Sequence, residues 1–501
     1  MTDATAPTEV RGLARFSDVP AVLATAWIIG LLAYTVAGRL WFPYDLEWME
    51  GGVLVHAWRV VQGQSLYVYP SSDFVPFIYP PLYHWLVAAA GSVFEFGYAP
   101  ARAISITGTA LAAVAATLAA RQEGVRWGLS IAAAGLYLST FEDTGAFFDL
   151  VRIDGLFMAL TVGALVAGRA TAWRTSGLLL TLAFATKHNA AAFGLPILVW
   201  SYRHHGMAAA RQFALWSITP ALTFTLLVTL LEGDQLYLTY ILGVPADHGF
   251  VFSRFAWGAQ KESFLALPLT TLALAVVGVL ALTDRRQAPT RLAAGSQYWL
   301  WNGGLAFLLS AVMRGHQGGY LNVLMPGLWA LSLGGILALE AIRRRFPHRM
   351  VVFAVPLLVA GQLVYEDWDP ERFRASADDH SAGARYVEEV AAIGGEVLAP
   401  WSPWIAVQAG KAPAFHLIGL WDINHAGGPL VDYVAPITND MEQHRWTAIA
   451  VMSERNMPTG VKKFYKRKEA IGVGGPKLKP KTGWGVRPRN FWRPKPAPES
   501  L

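Results

Sequence analysis

Long uncharged apolar runs recur along this chain and decide its class before any motif is read. Ala103 to Ala120 and Phe264 to Leu282 carry no charged side chain. Each approaches or reaches the roughly 18–20 residues that a helix needs to cross a bilayer. Of the 501 residues 15% are charged and 54% hydrophobic, and mean hydropathy is +0.34. A water-soluble domain carries about 25% charged residues, and a solvated coil carries far less apolar side chain. The fold class left is a polytopic α-helical membrane protein.

Excess Lys and Arg marks the cytoplasmic side of such proteins. Basic clusters stand at Arg11/Arg15, Arg121/Arg126, Arg169/Arg174, Arg203/Arg211, Arg285/Arg286/Arg291 and Arg343/Arg344/Arg345/Arg349. Setting these inside puts Pro43 to Tyr79, Glu142 to Asp149, Glu232 to Lys261, Arg314 to Gly319 and everything after about Glu366 outside. Parity then lays Pro81 to Gly97 along the outer interface and leaves Ala99 to Ala120 to cross. It also divides Ser176 to Trp200 into two short helices meeting at Lys187-His188-Asn189. The sum is about eleven transmembrane helices, with the N-terminus in and the C-terminus out. The polar stretch Met1 to Pro20 shows no small-residue cleavage site and reads as the start of a retained signal anchor.

Four parts follow from this count. Residues 1–19 are a cytoplasmic N-terminus. Residues 20–366 are the transmembrane part, with a first outer loop over 43–80. Residues 367–457 form a small outer α/β domain, and 458–501 a basic Lys/Pro/Gly-rich tail. In the small domain Ala384 to Ile393 has helical spacing and ends at Gly394-Gly395, a good helix stop. Strand-like runs follow at Glu396 to Ala399, Ala414 to Ile418 and Thr447 to Met452. Twelve Lys and Arg crowd between Lys462 and Lys495 and produce the net charge of +6. The tail holds too few apolar residues to fold alone.

Ionisable groups at membrane depth are costly and mark function; here they gather on the outer side. The first loop reads Tyr44-Asp45-Leu46-Glu47-Trp48-Met49-Glu50-Gly51-Gly52. Three carboxylates this close raise at least one pKa or call for a cation, and one can serve as a general base on a hydroxyl. The plainer alternative is a solvated acidic loop. Against it stand the short amphipathic helix expected over His56 to Gly63 and the aromatic, proline-punctuated stretch Ile78 to Tyr83. Arg152 with Asp154, Lys187 with His188, and Arg314 with His316 and Asn322 make three further clusters. Each has a bland counterpart: mutual neutralisation, snorkelling to headgroups, or an ordinary polar loop. Backbone amides at the helix start after Arg314 would favour an anion. His204, His205 and His248 carry no site. With no cysteine, disulfides and thiolate chemistry are excluded. No HExxH, GxxxxGK[ST] or GxSxG motif is present, so zincin, P-loop and hydrolase-elbow readings have no support.

The order of these clusters resembles the GT-C class of integral-membrane glycosyltransferases, which includes protein O-mannosyltransferases and the lipid A aminoarabinose transferase. The resemblance runs through Asp45, Glu47, Glu50-Gly51, Gly63 to Tyr67, Tyr79-Pro80-Pro81-Leu82, Arg152/Asp154, Thr186-Lys187 and Gly319/Asn322, and covers roughly residues 20–366. It departs where the expected Asp-Glu pair reads Met49-Glu50, which leaves the base open among Glu50, Glu47 and Asp45. The resemblance implies a sugar donor carried on a polyprenyl phosphate. Glu50 or Glu47 would be the base, with Asp45 or Asp154 orienting it, and attack would invert the anomeric centre. Lys187, Arg152 and Arg314 would stabilise the leaving phosphate. Tyr79, His188, His316 and Asn322 complete the expected substrate-binding set. A divalent cation could bind the carboxylates, but some members of the class work without one, so no cofactor is assigned. Expected partners are membrane lipids and a glycan, lipid or protein acceptor, not nucleic acid, at a bacterial inner membrane. A secondary transporter and a non-catalytic envelope-assembly protein whose tail binds an anionic surface are the competing readings.

Overall fold

A computed structural model describes residues 16–232, 235–283, 294–452 and 461–496 of the chain. The basic clusters at Arg11/Arg15 and Arg285/Arg286/Arg291 lie outside the described residues. The rest is mainly helical: α1 Val19–Ala37, α2 Glu50–Val61, α3 Leu82–Val93, α4 Tyr98–Gln122, α5 Trp127–Ser139, α6 Asp154–Arg169, α7 Trp173–Thr186, α8 Gly194–Leu231, α9 Pro268–Thr283, α10 Ala294–Gly315, α11 Met325–Arg345 and α12 Arg349–Tyr365. Among the described residues five helical stretches are long and apolar enough to cross a membrane. They become six if Phe252–Phe264 and Pro268–Thr283, bent by 96°, count as one span. The eleven crossings counted from charge also draw on α5, α6 and α7, which have only 13, 16 and 14 residues.

Local signals explain the breaks. Lys187 follows α7 in extended conformation (φ −151°, ψ 114°), so the helix stops there and a short 3₁₀ turn, His188–Phe193, restarts it. Within α8, Gly206 adopts φ +83°, splitting the element beside the basic Arg203/Arg211 cluster. Segment α3 has 12 residues, too few to span. The first-loop helix begins at Glu50, six residues earlier than its apolar spacing suggested, because the Asp45 carboxylate accepts from the Gly51 amide and organises the turn before it.

Small residues let the central helices approach closely, as membrane helices require. Ala112, Ala116, Ala119 and Ala120 are fully buried on α4. Gly108 of α4 sits against the Gly155 backbone of α6, where a side chain on either would meet the other helix's main chain. Leu23, Trp27, Leu111, Leu118, Leu226, Leu272 and Leu357 project outward, a face suited to lipid. At one end of the bundle Arg169 pairs with Glu123 (2.6 Å), and Arg344 reaches the Gly124 carbonyl (2.7 Å), so three basic turns meet there. The acidic loop, Lys187 and Asn322 meet at the other end. Gly108→Leu should therefore wedge α4 from α6, cost about 1–3 kcal/mol of stability and displace Asp154. Thermal unfolding in detergent checks this.

After α12 comes α13, Ala377–Ala391, opened by a Ser376/Asp379 capping box. Beyond it a four-stranded sheet runs in the order β1-β2-β4-β3, with β1 Val397–Leu398 parallel to β2 Ala448–Val451. The Ala414 to Ile418 run is no strand: it leads into a helix, Leu417–Ile423, which His416 caps by accepting from the Ile418 amide. The Lys-rich tail does not stand alone. It supplies β3 Tyr465–Ala470 and β4 Asn490–Pro494, and β4 pairs antiparallel with β2.

Candidate active site

The first loop folds into a buried turn in which each carboxylate meets different partners. Glu50 is fully buried and accepts a fork from Arg102: Nε to Oε1 at 3.0 Å and Nη2 to Oε2 at 2.8 Å. The amides of Leu46 (2.7 Å) and Val151 (2.8 Å) also donate to it. Arg102 completes its own set on the carbonyl oxygens of Arg39, Phe42 and Tyr44. Burial alone would push the Glu50 carboxyl up, but Arg102 and the backbone amides outweigh it and hold the group below its ordinary range. Asp45 accepts at Oδ1 from Gly51 N (2.7 Å) and Tyr98 Oη (2.9 Å). Burial and the neighbouring Glu50 raise it well above the usual carboxylate range.

Glu47 differs from both. Its Oε2 accepts from the Met49 amide (3.2 Å) and from Arg152 Nη1 at 3.3 Å. Oε1 points toward Gly483. Burial pushes its pKa up to about 7, Arg152 opposes that, and Glu50 adds to it.

Arg152 links Glu47 to the second cluster. It approaches the Tyr79 hydroxyl (3.5 Å) and the Asp154 carboxylate (3.9 Å). Asp154, the first residue of α6, receives Lys187 Nζ on Oδ1 (3.1 Å) and Asn322 Nδ2 on Oδ2 (2.9 Å). Residues from the first loop, the α5–α6 turn, the α7 break and the turn before α11 therefore form one connected polar chain: Glu47, Arg152, Asp154, Lys187 and Asn322. Tyr79, pushed up to about 12 by burial, flanks it. His188 lies beside Lys187 with its Nδ1 buried and unbonded.

Arg314 and His316 are not part of that chain. Arg314 makes a bidentate pair with Glu262 (2.6 and 2.7 Å) and bonds the Gly319 carbonyl. His316 bonds the carbonyls of Gln317 and Pro245. The three loop carboxylates do not converge on one point: Glu50 holds a guanidinium, Asp45 an amide and a hydroxyl, and Glu47 an amide and a guanidinium. This donor set does not fit a divalent cation, and among the described residues no group of three or more His, Asp or Glu is placed to hold one.

Arg102 and the buried Arg39–Asp149 pair (2.9 Å) went unread in the sequence. The signal for Arg102 was an arginine near the start of a helix that carries no further charge until Arg121 in its last turn, one residue before the apolar run at Ala103.

An apolar cavity of about 380 Å³ opens among the helices, lined by residues that include Met158, Val162, Phe193, Phe307, Pro326 and Trp329. A small crevice against Lys187 and Asn189 shares Phe193 and Pro326 with it.

No protein-family model and no curated protein sequence matches the chain. The structure is similar to ArnT from Cupriavidus metallidurans bound to undecaprenyl phosphate, with a TM-score of 0.52 at 12% identity, over 94% of this chain and 98% of that one. A weaker likeness, TM-score 0.48 at 11% identity over 94% and 76%, is to archaeal oligosaccharyltransferase AglB from Archaeoglobus fulgidus in complex with an inhibitory peptide and a dolichol-phosphate. The ArnT likeness spans nearly the whole of both chains, and with the apolar helices it identifies the architecture: the chain is a multi-pass membrane protein with a GT-C-like fold.

Proposed function

We propose that this chain is a membrane glycosyltransferase that moves a sugar from a polyprenyl-phosphate donor to an acceptor hydroxyl, with inversion, on the outer side of a bacterial cell membrane. One observation carries the reading: a polar chain joins a carboxylate of raised pKa to two cations, and its Lys187 borders a crevice that shares Phe193 and Pro326 with an apolar cavity. Such a donor needs an apolar bed for its lipid, cations for its phosphate and a base for the acceptor. The undecaprenyl phosphate bound by the structurally similar ArnT agrees with this chemistry.

Glu47 takes the proton of the acceptor hydroxyl. The acceptor oxygen attacks the anomeric carbon on the face opposite the phosphate. The carbon–oxygen bond to phosphate breaks, and its electron pair stays on the phosphate oxygen. Lys187 and Arg152 stabilise the charge that develops there, and because they are held beforehand by Asp154 they need little reorganisation. Asn322 fixes Asp154. Glu50 and Asp45 shape the turn that presents Glu47. A transporter would concentrate its ionisable groups near the midplane; here the connected chain from Glu47 to Lys187 lies toward one end of the bundle.

The test is transfer of radiolabelled sugar from a panel of polyprenyl-phosphate sugars in proteoliposomes, with broad acceptor extracts. The expected result is a labelled acceptor and stoichiometric release of polyprenyl phosphate from at least one donor. No transfer and no release from any donor would overturn the catalytic reading and leave transport as the leading idea.

A further inference from the structure

The loop between β3 and β4, residues 471–489, does not project freely. At its base the Gly472 amide donates to both carboxylate oxygens of Glu389 (2.9 and 3.0 Å). Its middle lies against the Glu47 end of the polar chain. The amides of Lys481 (2.8 Å) and Thr482 (3.1 Å) both donate to the Leu46 carbonyl. The Thr482 hydroxyl donates to the Gly145 carbonyl, and the Tyr320 hydroxyl meets Thr482 and the Gly483 backbone. Lys481 pairs with Asp379. Trp484 closes the far side, its ring 5.1 Å from Trp48 and 5.4 Å from Trp421.

Gly483 is the point of nearest approach. It adopts φ +76°, and a Cβ there would come within 2.7 Å of Glu47 Cγ and 3.0 Å of Oε1. Only a glycine brings the backbone this close in that conformation. The loop thus touches the first loop, the Gly145 turn and the Tyr320 turn, the same turns that carry Glu47, Arg152 and Asn322. It lies over the oxygen of Glu47 that faces away from Arg152. Its fastenings are backbone hydrogen bonds, the side-chain bonds of Thr482, Tyr320 and Glu389, one ion pair and one tryptophan clasp, and none of them belongs to the β3–β4 pairing.

We propose that residues 476–486 are a strap that closes the aqueous approach to Glu47 and must lift before an acceptor hydroxyl can reach it. This rests on the glycosyltransferase reading for the identity of the entrant, but not for the closure itself. Acceptor binding is then coupled to strap opening, so donor can occupy the membrane side while the base stays covered and water is excluded.

Two experiments on the full chain separate closure from activity, helped by the absence of native cysteine. In the first, Glu47→Cys is the sole thiol in detergent-solubilised protein and its reaction rate with a water-soluble maleimide is measured. Adding Trp484→Ala should speed labelling at least tenfold, and adding Trp484→Phe, which keeps an aromatic clasp, should not. Equal labelling in all three proteins would overturn the strap. In the second, Asp379→Cys and Lys481→Cys are joined by a short bis-methanethiosulfonate bridge with Glu47 intact. Bridging should slow transfer at least tenfold, and reductant should restore it. Unchanged transfer in the bridged protein would overturn the need for opening. If labelling responds as expected while the unbridged protein transfers nothing, the glycosyltransferase reading fails and the strap stands.

Discussion

Glu47→Gln is expected to lower sugar transfer by about 10²–10⁴-fold, the range a positioned general base contributes, with insertion and thermal stability close to wild type. The substitution keeps the shape and an acceptor for the Met49 amide; it removes the group that takes the proton and the charge facing Arg152, which keeps the Asp154 carboxylate beside it. The pH dependence supplies a second, independent readout. Glu47 is held up to about 7 by burial, and Arg152 only partly offsets this. A base acts in its deprotonated form, so transfer in the wild type should climb about tenfold per pH unit below 7 and level off above it. The rising limb must vanish in Glu47→Gln. Glu50→Gln should behave otherwise: Glu50 is held low by Arg102 and two amides, so any loss of activity there should follow loss of fold, and the rising limb should persist but move to lower pH, because the Glu50 charge helps to raise Glu47. Transfer measured from pH 5 to 9 for the three proteins decides between them. A wild-type profile flat through 7, with Glu47→Gln retaining activity, would pass the role of base to Asp45.

What could be read in the sequence followed from local rules. Uncharged runs of span length announced α4 and α9, and the polar Lys187 between basic flanks announced the break that begins the α7–α8 turn. The clusters around Glu47, Arg152, Lys187 and Asn322 were legible because charge is rare in such a chain. Their connection was not, since Asp154 meets Asn322 across 168 residues of sequence. Arg314 had the same composition signal as Lys187, yet Glu262, a residue with no motif around it, claims it. The tail shows the limit most plainly. Its Lys/Pro/Gly content describes a segment unable to fold alone, and nothing local says that Asn490 to Trp492 will pair with Val451 to Ile449 or that Gly483 will end against Glu47.

Arg102→Ala should be the most destabilising single change in the chain. The guanidinium is fully buried and makes two bonds to Glu50 and three to backbone carbonyls, which ties the end of α1, the first loop and α4 together. Removing it leaves a buried carboxylate without its cation and takes a donor from three carbonyl oxygens, of which the Arg39 carbonyl keeps the Phe42 amide. Breaking a buried pair from one side costs about 3–5 kcal/mol, a large part of any domain's net stability. Arg102→Lys should recover little, because an ammonium cannot reproduce the planar fork. The double variant Arg102→Met/Glu50→Gln should recover more than the single changes imply, since it deletes the orphaned charge. The sign of the pH effect follows from Glu50. Its folded pKa lies below the ordinary value of 4.5, so the stability it contributes is present above that value and is lost as pH falls through the lowered one. Wild-type protein should therefore melt at lower temperature as acid is added in that window, and the double variant should lose that part of the dependence. Thermal unfolding in detergent from pH 7 down to 3 checks both statements. An Arg102→Ala protein as stable as wild type would mean that the first loop, and with it the position of Glu47, is held by something other than this pair.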